Sequence, residues 1–223
     1  MPHELNMSQT PAAQKPPKPP RKLPRWVYLV LFVVVVALPF MRQLTQRSGA
    51  DKEALATLTE MGAEPINRPL RDEELDMPVQ THDGKTTTLR TLMASGDAVI
   101  LHFWASWCGP CMEELPEIGK LAQALRGRRV QVVSVSHDDE WADADAALVK
   151  TNGKAQPDAG VWLRELEGQS GEESKMLRVR LGTLQLPETY ILVDGQALVR
   201  LIASQPWSNP RLMRALERLA PLR

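Results

Sequence analysis

The run from Ala98 to Leu125 constrains this chain more than any other. Ala98-Val99-Ile100-Leu101-His102-Phe103-Trp104 is apolar except for His102. Such a run reads as a central strand covered on both faces. Three residues later stand Cys108-Gly109-Pro110-Cys111, and then Leu115, Ile118, Leu121, Ala122 and Leu125 at helical spacing. A strand that feeds a helix beginning at two cysteines implies an α/β domain with sulfur chemistry at the junction. A thiol at a helix N-terminus meets free backbone N–H groups and the positive end of the helix dipole, both of which favour the anion. The thiolate is the species that attacks disulfides. Cys108 is therefore expected to be the exposed nucleophile. Cys111, one turn further in, is expected to resolve the mixed disulfide. Pro110 stands near the helix start, where its missing N–H costs least, and Trp107 is read as shielding the pair.

These are the two cysteines of the 223 residues. A domain stapled by disulfides needs more of them at wider spacings, and so short a loop gains little from cross-linking. Zinc needs four ligands; no second Cys-x-x-Cys exists, and the histidines are His3, His82, His102 and His137. The pair reads as working chemistry that needs neither cofactor nor metal. Net charge is zero, which gives no bulk electrostatic reason to bind nucleic acid.

Other segments fall into place around this junction. Met77–Thr81 and Thr86–Leu89 flank His82-Asp83-Gly84-Lys85, the pattern of a hairpin. Val130–Val135 reads as a buried strand, Trp141–Lys150 as a helix and Met176–Leu181 as a helical turn. Thr189–Val193, Asp194-Gly195 and Ala197–Ile202 form a second hairpin pattern, and Asn209-Pro210 opens a final amphipathic helix. Residues 151–172 carry no readable pattern. Trp141, Trp162 and Trp207 are read as packing.

The N-terminal part divides into a Pro- and Lys-rich tail over 1–25, expected to be disordered, and the uncharged stretch Trp26–Met41. Sixteen residues make a helix of about 24 Å, slightly short of a usual span, with Arg25 and Arg42 able to snorkel. Basic residues concentrate before Trp26, so the tail is expected in the cytoplasm and the rest of the chain outside. Residues 42–65 read as a linker with some helical character from Lys52 to Met61, and 66–223 as the domain. Ser48-Gly49-Ala50 leaves a cleaved signal peptide as the alternative to a single-pass anchor; both export the domain.

Trp107-Cys108-Gly109-Pro110-Cys111 after a strand ending in Phe103-Trp104 resembles the thioredoxin superfamily. With the upstream His82–Lys85 hairpin it is similar to that superfamily's TlpA- and ResA-like membrane-anchored branch, over about residues 66–220. The resemblance implies a thioredoxin-like α/β fold: a mixed central sheet flanked by helices, an N-terminal hairpin extension and one transmembrane helix before it. It implies that Pro187, in Leu186-Pro187-Glu188-Thr189-Tyr190, is a cis-proline and that Leu186 offers its backbone to an extended substrate segment. Glu114, three residues after Cys111, matches an acidic redox-tuning residue of ResA-like proteins.

Two departures stand out. His102 occupies a place where the superfamily has Asp or Asn, and it is a candidate proton acceptor for Cys111 or a plain core histidine. Glu188 follows the cis-proline, where small residues or Thr are common. The implied activity is exchange of the Cys108–Cys111 disulfide with protein cysteines, as a reductase at the bacterial inner membrane with its domain in the periplasm. A membrane thiol carrier would supply electrons, and apocytochrome c or copper-site cysteines would be substrates. The alternatives are an oxidase or isomerase, and a Cu(I)-binding chaperone. A peroxiredoxin-type peroxidase would need a Pro and a Thr or Ser where Leu101 and Ala105 stand.

Overall fold

The computed structural model describes residues 24–32, 35, 52–94, 98–166 and 176–219. The chain divides into two units, Met1–Thr45 and Gln46–Arg223. In the first, helix α1 spans Arg25–Phe32 and leaves Tyr28, Val30 and Phe32 exposed. No helix among the described residues is long and apolar enough to cross a membrane. Most of the expected anchor beyond Phe32, like most of the Pro-rich tail, lies outside the described residues.

The second unit is built on one eight-stranded mixed sheet. In chain order the strands are β1 (Glu64–Pro69), β2 (Val79–Thr81), β3 (Thr86–Thr87), β4 (Ala98–Trp104), β5 (Val130–Ser136), β6 (Val161–Glu165), β7 (Glu188–Val193) and β8 (Gln196–Ile202). Across the sheet the order is β1-β8-β7-β4-β5-β6-β2-β3. Among the described residues, only β4–β5 and β5–β6 pair in parallel; β7 lies antiparallel to β4. Strand β4, which leads into the cysteines, is thus central, and all seven of its residues are buried.

Residues 52–60 form helix α2. After it come α3 (Asp72–Leu75), α4 (Leu89–Met93), α5 (Gly109–Ala124), α6 (Trp141–Asn152), α7 (Leu177–Leu181) and α8 (Pro210–Leu219). Alternation along β4 sorts the core into two layers. Ile100 and Trp104 pack with Leu115, Ile118 and Leu121 of α5, Leu148 of α6 and Leu216 of α8. Val99, Leu101 and Phe103 pack with Leu89 of α4 and Leu177 and Leu181 of α7. The β7–β8 turn has Asp194 at φ 50° and Gly195 at φ 75°. Both central residues are left-handed, the geometry that matches strand twist in a two-residue hairpin.

Two expectations change. The 42–65 stretch is not simply a linker: Ala54 and Leu58 of α2 are fully buried in the core, and β1 starts at Glu64. The unreadable region contains β6, which joins the expected β2–β3 hairpin to the sheet through antiparallel β2–β6 pairing. At the opposite edge, Glu74 of α3 is buried and holds Arg68 of β1 through two bonds of 2.8 and 2.7 Å; Arg71 adds a third at 2.9 Å. These hydrogen bonds keep its carboxyl at about 2, against the opposing cost of its burial.

Candidate active site

Helix α5 begins at the cysteines. Cys108 is its N-cap, with extended backbone (φ −88°, ψ 105°), and its Sγ accepts the Cys111 N–H at 3.2 Å. One of the orphan donors of the helix start is thus spent on sulfur. The two sulfurs are joined as a disulfide. Cys108 is 6% exposed and Cys111 is fully buried, so an external thiol or disulfide meets Cys108 first.

The turn before Cys108 is held by Asp138, a residue that no local motif singles out. Its buried carboxylate accepts the Ser106 N–H at 3.1 Å and the Ser106 hydroxyl at 2.6 Å, and takes a third bond from the Ser136 hydroxyl at 2.6 Å. The Leu186–Pro187 peptide is cis, as the resemblance implied. Leu186 lines an open pocket with Trp107, Cys108, His137 and Arg178. Trp107 is 68% exposed and neighbouring Leu184 87% exposed. Trp107 does not bury the pair so much as present an indole beside it. Exposed apolar side chains of this size around a reactive group mark a surface that another chain covers.

His102 shares the α5-facing side of β4 with Ile100 and Trp104. It is fully buried, and burial pushes its imidazole down to about 3. Nδ1 lies 3.0 Å from the hydroxyl of Thr189, its register partner on β7; Nε2 has no hydrogen-bond partner among the described residues. The structure thus places His102 within the core beside Thr189. A ring this desolvated stays neutral at physiological pH, because nothing around it compensates an imidazolium.

Glu114, one turn beyond Cys111, is buried at 3% exposure. Burial pushes its carboxyl up to about 7, opposed by the Gln205 N–H at 3.0 Å and the Trp207 indole N–H, both donated to Oε1. Oε2 has no partner among the described residues. Trp207, read from sequence as packing, is thus also a hydrogen-bond donor to this acid. Glu188 lies on the opposite sheet face, where the Tyr190 hydroxyl donates to it at 2.5 Å. It does not share the cysteines' side of the sheet.

Sequence reasoning missed the polar wall of the pocket, His137 just after β5 and Arg178 on α7, and the buried Glu165 of β6 that both approach. They converge from three elements, and no local motif announces them. The chemical capacity of the whole is plain. It holds a reachable sulfur at a helix N-terminus, a buried second sulfur, a buried acid one turn away and an open groove beside the reachable sulfur.

Comparison with known proteins agrees. Residues 70–201 match the model of the AhpC/TSA family. The thiol:disulfide interchange protein DsbE of Yersinia pestis is 28% identical over 175 residues, covering 78% of this chain and 80% of that protein. The thiol-disulfide oxidoreductase ResA of Bacillus thuringiensis (strain Al Hakam) is 27% identical over 115 residues, 52% of this chain and 58% of that protein. Among solved structures, a putative DsbE from Chlorobium tepidum superposes with a TM-score of 0.53 at 22% identity, over 70% of this chain and 98% of that one. That similarity shows the fold. With a redox pair at a helix start on a thioredoxin-like sheet and relatives of this kind, the chain belongs to the AhpC/TSA family and is a thiol–disulfide oxidoreductase.

Proposed function

We propose that the protein reduces disulfides of other proteins outside the cytoplasm, with Cys108 attacking the substrate disulfide and Cys111 resolving the mixed disulfide. The observation that carries the direction is Glu114. A buried acid one helical turn from Cys111, with an unpartnered oxygen, places negative charge beside the pair whenever it ionises. Negative charge disfavours a neighbouring thiolate. A dithiol whose thiolate is poorly stabilised gives up electrons readily, the reverse of the strong oxidants, whose reduced forms are stabilised.

The exposed Trp107 and Leu184 and the backbone of Leu186 beside cis-Pro187 form the surface on which an extended substrate segment lies. His102 acts on the pair as a neutral neighbour on the same sheet face, and its contribution is read from the shift in potential of a His102→Asn variant. The apolar Trp26–Met41 stretch and the basic residues before it favour a single-pass anchor in the bacterial inner membrane with the domain in the periplasm. There a reductase needs a membrane thiol carrier to recharge it. Cysteines of apocytochrome c or of copper sites are the substrate classes to test.

One labelling experiment addresses location and direction together. In spheroplasts, a maleimide that cannot cross the membrane is expected to label the pair without added reductant. Labelling only after reductant would mean the pair is kept oxidised, as in an oxidase. Labelling only after lysis would place the domain in the cytoplasm.

A further inference from the structure

We propose that His137 relays the proton of the exchange step at Cys108, with Glu165 fixing its tautomer. The proposal rests on the thiol–disulfide chemistry but not on its direction. His137 follows β5, and its backbone N–H bonds the Trp104 carbonyl at 2.8 Å, which ties it to the end of β4, just before the cysteine turn. Its Nδ1 lies 3.0 Å from Oε2 of Glu165. Glu165 is 3% exposed, accepts the Arg178 backbone N–H at 2.8 Å and sits 3.3 Å from the Arg178 guanidinium. Nδ1 faces this carboxylate as a close polar contact without the alignment of a hydrogen bond, and the neighbouring oxygen favours the tautomer with the proton on Nδ1, which leaves Nε2 as the acceptor nitrogen.

That ring packs edge-on against Trp107, with centroids 6.1 Å apart, and lines the same pocket as Cys108. The arrangement is a sulfur nucleophile, an imidazole sharing its pocket, and a carboxylate that orients the imidazole. Neither His102 nor Glu114 offers this. His102 is sealed inside the sheet, and Glu114, buried one turn beyond Cys111, does not line the pocket that Cys108 opens onto.

In the step, the Cys108 thiol gives its proton to Nε2 as its sulfur attacks one sulfur of the substrate disulfide. The Cys108–substrate S–S bond forms and the substrate S–S bond breaks. The departing sulfur takes the bond's electron pair and then the proton from the imidazolium. No further reactant is consumed. The charged groups facing His137 are Glu165 from β6 and Arg178 from α7, with Cys108 of the α5 N-terminus across the pocket. The adjacent Asp138 carboxylate is turned onto Ser106 and Ser136.

The test is single-turnover reduction of a short peptide with one internal disulfide by the reduced full chain in detergent. This exchange runs whichever direction the enzyme works in vivo, so an oxidising potential would sink the reductase reading without touching this one. His137→Gln is expected to be slower by about tenfold near pH 7, less than a typical general base is worth because a thiol is already partly ionised. The deficit is expected to shrink to less than about twofold near pH 9.5, where Cys108 no longer needs a base. Added imidazole is expected to restore the rate near pH 7. A wild-type rate in the variant, or a deficit that is constant with pH and unmoved by imidazole, would overturn the relay. The unaltered protein supplies a reading independent of the variant's folding: a solvent deuterium isotope effect of about 2 supports proton transfer in the step, and none contradicts it.

Discussion

With Cys111 replaced by serine, the protein is expected to stall on its substrates as a stable mixed disulfide through Cys108. Cys108 caps α5 and opens onto the pocket, whereas Cys111 is sealed beneath it. An incoming disulfide reaches the first sulfur and not the second. Once the Cys108–substrate bond forms, only a thiol held within one helical turn can break it quickly, and serine cannot. Turnover is expected to fall by more than about a hundredfold while covalent adducts accumulate, visible as non-reducing gel shifts that collapse with reductant. Cys108→Ser is expected to lose turnover to the same degree and to trap nothing. Adducts formed by Cys108→Ser instead would reverse the roles.

Glu114→Gln is expected to make the protein more stable at about pH 8 and hardly to change it at about pH 5. The folded state raises this carboxyl from 4.5 to about 7 by burying it. A group whose folded value lies above its unfolded value adds stability that is complete below the unfolded value. That stability is lost as pH rises through the folded value. The loss falls between about pH 5 and 8 and amounts to about 1–3 kcal/mol. Glutamine keeps a carbonyl for the Gln205 and Trp207 donors and carries no charge, so it avoids the loss. Removing the charge also eases thiolate formation at the pair, and the potential of the variant is expected to rise by about 30 mV at pH 8. Urea unfolding at the two pH values, with a potential measured on the same samples, reads both effects. A stability difference that does not change with pH would mean that the acid ionises normally where it sits.

The sequence made the central part of this molecule legible because its signals there are local. The apolar β4 run, the cysteines at the helix start and the Asp194-Gly195 turn each state their structure within a few residues. The cis bond at Pro187 was reached through family resemblance. What stayed hidden depends on long-range contact. Strand β6 is five residues long and carries Arg164 and Glu165, so it lacks an apolar signature; only its neighbours β5 and β2 make it a strand. Residues 52–60 showed a helical pattern, yet nothing local told that Ala54 and Leu58 enter the core. His102 looked like a base because imidazole titrates near neutrality. Its complete burial by layers from both sides of the sheet, which holds the ring neutral, was not legible locally. Trp207 looked like filler until the fold set its indole N–H on Glu114, and Asp138, His137, Glu165 and Arg178 gain meaning only where β5, β6 and α7 meet the cysteine turn.

The reductase reading turns on how strongly the Cys108–Cys111 pair holds its electrons. Equilibrating the full chain with glutathione or dithiothreitol buffers at pH 7, and counting free thiols by alkylation, gives the potential directly. Glu114 beside the buried sulfur predicts a value near that of thioredoxin, about −270 mV. A value near about −120 mV, that of a strong oxidant, would contradict it.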